Sequence, residues 1–600
     1  NKQRLKGATS GLSSSGSWFL RRKAEVENKM YGSTFSNDVE NELKKIRLLE
    51  QQRRRVESEA SNLQRSRLGS ARYLSCLGIF LLTCIVGTKL SFKENINEAT
   101  KFILQAAEDE VGNPNIIFIL GDDMGIQDVG YSSEDLKGLT PNLDALAEKG
   151  IILNSYYTEQ VCTPARAALL TGKYPIHTGM QHGSVGDREP WGLPLEHSLL
   201  PEYLKEYGNY KTHMAGKWHL GFFSPDYLPT SRGFDSQFGY LGGQESYFDH
   251  TSEVRGTEFY DWSFNGFPYP EAKGHYSTEL ITERAVEMIE EHAETSEEYQ
   301  PLFLYLPYQA IHVPISEGIP NGYLHPDSPA ALKIQNIPTE ARRAVAAMMY
   351  ALDTNIAKIV TALKKTGLYE NSVIIFASDN GGCARGGASN WPFRGGKNSL
   401  WEGGLRAPAF VHSPRLSSEV QGTIYKGLFH VTDWFPTILN GILGQSNTMK
   451  MKKDDSSQFD GINLWNSLLG KSSASRETIL HNLEEYTDDD GLDRWKAALR
   501  VGDYKMIVGE SEQGWFSPEE SHEDISCVAQ FSEKTWYFNI KEDPTEKNNI
   551  TDIATELLNE FLEQLDLYKA TAHAPANKDP SKKSMGVWHK HDDCMVPWDV

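Results

Sequence analysis

Cys162 opens the string Cys162-Thr163-Pro164-Ala165-Arg166, which runs on through Ala167-Ala168-Leu169-Leu170 to Thr171-Gly172. Proline is tolerated in the first turn of a helix, so the string predicts a helix starting near Pro164, with Cys162 just ahead of its N-terminus. That setting suits an activated side chain and the binding of an anion. A lone cysteine is more often a small buried hydrophobe. Asp122-Asp123 follows the apolar run 115–120 (NIIFIL). Adjacent carboxylates repel each other unless a cation lies between them, although a polar turn is the plainer reading. Asp379-Asn380-Gly381-Gly382 follows the run 372–377 (SVIIFA) and reads either as an Asn-Gly turn or as a second pair of oxygen ligands. Four such oxygens on one edge suit a hard cation, Ca²⁺ or Mg²⁺, better than zinc. His312 comes after the run 301–306 (PLFLYL), and Lys217 and His219 stand two apart, on one side of an extended segment. Taken singly, these last three are weak signals.

The elements that must position these residues alternate. The three apolar runs read as buried strands, and between the last two lies a helix with the face Val345, Met349, Leu352, Ile356, Ile359 and Leu363, ended by Gly367. Strand, helix, strand in repetition predicts an α/β fold: a large mixed, mostly parallel sheet sandwiched by helices over residues 112–445. Ligands of such sheets bind beyond the carboxyl ends of the strands, where the residues above sit. After about Ser446 the pattern changes to a hairpin (497–501 and 504–508), a strand at 535–540 and an amphipathic helix at 553–569. Residues 446–600 are expected to form a smaller α+β domain with an antiparallel sheet.

The 600-residue chain has a formal net charge of −21, yet its first 90 residues hold 17 Lys/Arg against 8 Asp/Glu. The rest carries about −30, which excludes general nucleic-acid binding and requires a local cation cluster for any anionic substrate. Residues 1–72 read as a basic, solvated tail. Residues 73–87 carry no charge and follow Arg65, Arg67 and Arg72, so 73–90 reads as a signal peptide or a type II signal anchor. The chain opens on Asn1 and not Met, as a fragment or a faulty gene model would. Either form of the 73–90 reading puts the remainder outside the cytosol, in the secretory lumen, the lysosome or the extracellular space. Cys527 and Cys594 are the two cysteines of the C-terminal region, and a bond between them fits an oxidising compartment. Cys383 reads as a small neutral residue. Asn549-Ile550-Thr551 is an N-glycosylation sequon.

The Cys162 string resembles the signature of the type I sulfatases, a family of the alkaline phosphatase-like superfamily. The resemblance extends from about Asn115 to the C-terminus. Gly216-Lys217-Trp218-His219-Leu220-Gly221, Arg232-Gly233-Phe234-Asp235, Asn390-Trp391-Pro392 and Leu400-Trp401-Glu402-Gly403-Gly404 resemble arylsulfatase B, the N-acetylgalactosamine-4-sulfatase, and its relatives. It implies a Ca²⁺-dependent sulfuric ester hydrolase acting on a sulfated sugar or aryl sulfate. In it, Cys162 is converted to formylglycine by the formylglycine-generating enzyme. The resemblance further implies Asp122, Asp123, Asp379, Asn380 and an oxygen of residue 162 as metal ligands. Lys217, His312 and Lys397 match the sulfate-binding residues, and Arg166 and His219 match those that hold and deprotonate the formylglycine diol. Ala165 stands where the familiar form of the motif has Ser, which bears on the efficiency of conversion.

Two other readings compete. A phosphatase or phosphodiesterase of the same superfamily usually has Thr or Ser as nucleophile and two zinc ions, which this residue set does not match. A catalytically inactive sulfatase-like protein that binds sulfated glycans is expected to have lost a site residue, and none of the matched positions is lost.

Overall fold

A computed structural model of the chain describes residues 112–295, 300–315, 323–444, 459–473, 476–487, 493–528 and 531–599. The tail 1–72, the segment 73–90 and the junction at 445/446 lie outside them. Among the described residues no helix is long and apolar enough to cross a membrane.

The first apolar run forms β1 (Asn115–Gly121), buried along its whole length. Then come β2 (Ile151–Tyr157), β3 (Lys211–Ala215), β4 (Ser236–Gly239), a separate hairpin of β5 (Thr251–Val254) and β6 (Thr257–Tyr260), and the short β7 (Ser263–Phe264) and β8 (Phe267–Pro268). The strands β9 (Leu302–Pro307), β10 (Ser372–Ser378), β11 (Ala409–His412) and β12 (Thr423–His430) complete a ten-stranded sheet ordered β12-β2-β11-β10-β1-β9-β3-β4-β7-β8. Its centre is parallel, and β11, β7 and β8 run antiparallel to their neighbours.

Side chains alternate across a strand, so a sheet covered on both faces needs apolar residues at every position. Ile116, Phe118 and Leu120 enter one core cluster with the helix Cys162–Thr171 and the aromatic residues Trp434 and Phe435. Ile117 and Ile119 enter the other, with the helix Glu340–Thr366. The face of that helix read from the sequence, Val345 to Leu363, is wholly buried. Thr339 caps its N-terminus by accepting from Arg342 N, and Gly367 ends it at φ +78°.

The register aligns the exits of the central strands. Gly121 pairs with Ser378 and Leu120 with Pro307, so Asp122-Asp123, Asp379-Asn380 and the turn to His312 leave the sheet on one edge. The C-terminal sheet is antiparallel, β13 (Thr478–Thr487), β14 (Asp493–Val501), β15 (Tyr504–Glu510) and β16 (Phe531–Asn539), in that order. The hairpin expected around Gly502-Asp503 is present, with Val501 paired to Tyr504. The helix Thr555–Thr571 buries Phe561 and Leu565 against Leu480, Leu499 and Met506 of this sheet.

Candidate active site

All ten residues singled out in the sequence meet at the carboxyl edge of the large sheet. The helix carrying Cys162 begins at Cys162 itself, two residues earlier than expected. The first turn of a helix lacks intrahelical N–H partners, so Pro164 marks that turn and not its first residue. Cys162 is buried, and its Sγ lies 3.5 Å from Asp122 Oδ1.

Arg166, one turn along, is fully buried. Its Nη2 donates to Asp379 Oδ2 at 2.7 Å and to Asp122 Oδ2 at 3.2 Å, and its Nη1 donates to Lys217 O at 3.0 Å. Lys217 Nζ reaches Asp122 Oδ2 at 2.6 Å. Lys397 Nζ lies 2.8 Å from Asp123 Oδ1 and 2.9 Å from His312 Nε2. Three carboxylates and three cations thus balance in a buried site, where truncating any one leaves an uncompensated charge. Burial works against ionised Asp122, but Lys217, His312, Arg166 and Lys397 overcome it and hold its carboxyl well below the usual range. Asp379 is pushed up to about 6 by burial and by the neighbouring Asp122 charge.

The two histidines have defined tautomers. His312 Nδ1 lies 2.8 Å from Val313 O, a pure acceptor, so Nδ1 carries the hydrogen and Nε2 accepts from Lys397. Burial and the Lys397 charge pull His312 down to about 4. His219 Nε2 donates to Val185 O at 3.1 Å, which leaves its buried Nδ1 as a lone pair without a partner. Burial, helped by Lys217, holds His219 well below its ordinary value.

Four of these residues form a buried group that could hold a metal ion. Ligand atoms of Asp122, Asp123, Cys162 and His312 lie within 4.8 Å of one another. Asn380 donates through Nδ2 to Asp123 Oδ1 at 2.7 Å, and its buried Oδ1 has no partner. A buried amide oxygen left unpaired is costly unless something positive faces it. Asp123 and His219 both sit in the left-handed region, at φ +60° and +58°, a strain that clusters at functional sites.

The family model for sulfatases matches residues 114–442, the stretch from β1 to the last described helical turns of the large sheet's half. The chain belongs to the sulfatase family. Mouse arylsulfatase J is 36% identical over 521 residues, covering 82% of this chain and 82% of that protein. Mouse N-acetylgalactosamine-6-sulfatase is 28% identical, covering 81% and 87%. A crystal structure of Ps i-CgsB in complex with k-i-k-neocarrahexaose superposes with a TM-score of 0.64 at 28% identity, covering 80% of this chain and 98% of that one. This sulfatase is accordingly a sulfuric ester hydrolase, and the α/β architecture read from its sequence is the one it has.

Two cysteine readings need correction. Cys527 is bonded to Cys383, not to Cys594, which is free and buried. Cys383 is therefore a covalent anchor rather than a small neutral residue. Nothing in the spacing signals a pair 144 residues apart, because tertiary proximity alone creates it. The sequence reading also missed Arg394, whose guanidinium lies 3.7 Å from the Trp401 ring centroid and also faces Trp515 and Trp536.

Proposed function

We propose that this sulfatase depends on Ca²⁺, uses a formylglycine made from Cys162, and removes sulfate from glycans as arylsulfatase B does, with N-acetylgalactosamine 4-sulfate as substrate type. The observation that carries the reading is the seat of Cys162: first turn of a buried helix, 3.5 Å from Asp122 Oδ1, with Arg166 and Lys217 on the same carboxylate. Sugars as substrates are supported by the names of the relatives, and the 4-position by the resemblance in the sequence strings. The half-buried Cys383–Cys527 bond supports a secretory, lysosomal or extracellular location, where the formylglycine-generating enzyme would act on the chain.

A sulfate ester resists attack because its anionic oxygens repel a nucleophile. The cation, held by Asp122, Asp123, Asp379, Asn380 and residue 162, would supply Lewis-acid charge against that repulsion. The hydrated aldehyde of formylglycine would supply two hydroxyls on one carbon, one to attack sulfur and one whose deprotonation lets sulfate leave. The remaining work falls to ordinary side chains. Lys217 and Lys397 hold the sulfate oxygens, and Arg166 fixes Asp122 and Asp379 in one arrangement. Asp123 keeps Lys397 charged against burial, so the acidic proton of the Lys397–His312 pair rests on Nζ. The pair delivers it to the leaving oxygen. His219, with Nε2 committed to Val185 O, keeps the Nδ1 lone pair free for the role of base that the sequence resemblance assigns to it.

The test is the mass of the tryptic peptide containing residue 162, from protein made in a secretory host. Conversion makes the peptide about 18 Da lighter than the cysteine form. Unmodified cysteine, with the modifying enzyme shown to be present, overturns the reading and leaves a glycan-binding protein.

A further inference from the structure

We propose that the Cys383–Cys527 disulfide and Asn398 form a clamp that positions Lys397, making the C-terminal sheet part of the catalytic apparatus. The proposal rests on the role given to Lys397 above. Lys397 is in a segment, 394–402, that leaves the large sheet and lies on the C-terminal one. Gly395 N donates to Gly514 O at 2.9 Å and Arg394 Nε to Gln513 O at 2.7 Å. Trp401 Nε1 donates to Ser511 O at 3.0 Å, Leu400 N to Glu510 Oε2 at 2.8 Å and Glu402 N to Glu546 Oε2 at 2.7 Å. Every acceptor in that series belongs to β15 or to the loops beyond it.

Around Lys397 itself the links close into a ring. Its N donates to Gly382 O at 3.1 Å, and Gly382 precedes Cys383. Cys383 is bonded to Cys527. Cys527 O accepts from Asn398 Nδ2 at 2.7 Å, and Asn398 follows Lys397. Asn398 also donates from its N to Gln160 O at 2.7 Å, two residues before Cys162. Its φ of +66° is a conformation that asparagine tolerates better than most residues. One side chain and one disulfide therefore tie the lysine to the strand exit that carries Asn380 and to the approach to Cys162. A long, flexible lysine held only by its ion pair would sample many rotamers. With its backbone fixed on both sides, the root of the side chain is set at the distance from which Nζ reaches Asp123 and His312 together.

The experiment compares Asn398→Gly, which keeps the positive φ but removes the amide, with the Cys383→Ser/Cys527→Ser double variant, each alone and on a Lys397→Ala background. The probe is a nitrophenyl sulfate, with inorganic sulfate as competing product. In folded protein each variant is expected to lower kcat roughly 10- to 100-fold and to weaken inhibition by sulfate. On the Lys397→Ala background neither is expected to cost anything further, because a residue acting through Lys397 has nothing left to position. Losses that simply multiply with that of Lys397→Ala overturn the clamp, as does unchanged kcat in folded variants. If the disulfide variant fails to fold, Asn398→Gly decides alone. Full activity in Lys397→Ala sinks instead the role of Lys397 on which the clamp depends.

Discussion

Lys397 Nζ and His312 Nε2 stand 2.9 Å apart, with the ammonium donating to the imidazole lone pair. The proton of this pair therefore belongs to the lysine. Lys397→Ala is expected to lower kcat for an aryl sulfate about 10²- to 10³-fold, the range seen when one preorganised donor is removed. His312→Ala is expected to cost a similar factor, and the double variant little more than either. Steady-state kinetics on the four proteins check this. Independent, multiplying losses would separate the two residues.

Cation binding is expected to show as stability. A ligand that binds only the folded state at 100 times its Kd stabilises by about 2.7 kcal/mol. After EGTA treatment, added Ca²⁺ is expected to raise Tm by several degrees in the native protein and by much less in Asn380→Ala, which lacks the buried Oδ1. A thermal melt with and without Ca²⁺ reads both, and equal shifts in the two proteins would remove Asn380 from the ligand set.

Asp261 predicts a pH dependence of stability. Its carboxylate accepts from Leu241 N at 3.0 Å and Gly242 N at 2.7 Å, but burial, with Asp187 and Glu245 nearby, pushes its pKa up to about 8. The folded state thus binds a proton that the unfolded state releases near pH 4. This contribution is fully present below about pH 4 and is lost as pH rises to about 8. Asp261→Asn removes the titration at a fixed cost in hydrogen bonding. The Tm gap between native protein and variant is expected to narrow from pH 5 to pH 8, and a constant gap would contradict the assignment.

Ile356 tests the scaffold separately from the site. It is fully buried on the inner face of the helix Glu340–Thr366. Ile356→Ala is expected to cost about 2–5 kcal/mol in a urea titration, with kcat per folded molecule unchanged.

What could be read from the sequence follows from how local the signals are. The runs at β1, β9 and β10 are apolar throughout their interiors because both faces of the sheet are covered, and the helix 340–366 shows its period because one face is not. The residues at those strand exits, with the Cys162 string, were therefore findable. The antiparallel partner β11 and the two-residue strands β7 and β8 are too short to carry a pattern. The Cys383–Cys527 bond and the contacts of Arg394 with Trp515 and Trp536 arise between segments more than 100 residues apart, where spacing holds no information. The left-handed backbone of Asn398 was equally silent, since asparagine in a loop is ordinary.

The split allegiance of β1 has a consequence for how the enzyme keeps its alignment. Ile116, Phe118 and Leu120 face one core and Ile117 and Ile119 the other, and the strand ends directly in Asp122-Asp123. A slip of one residue would exchange the two sets between cores of different shape and carry both carboxylates about 3.3 Å along the strand. The greasy interior thus works as a ruler for the charged edge. Catalytic accuracy is protected by the same tight fit that opposes unfolding, and a volume change deep in the strand, far from any substrate, is read out as a misplaced pair of oxygens.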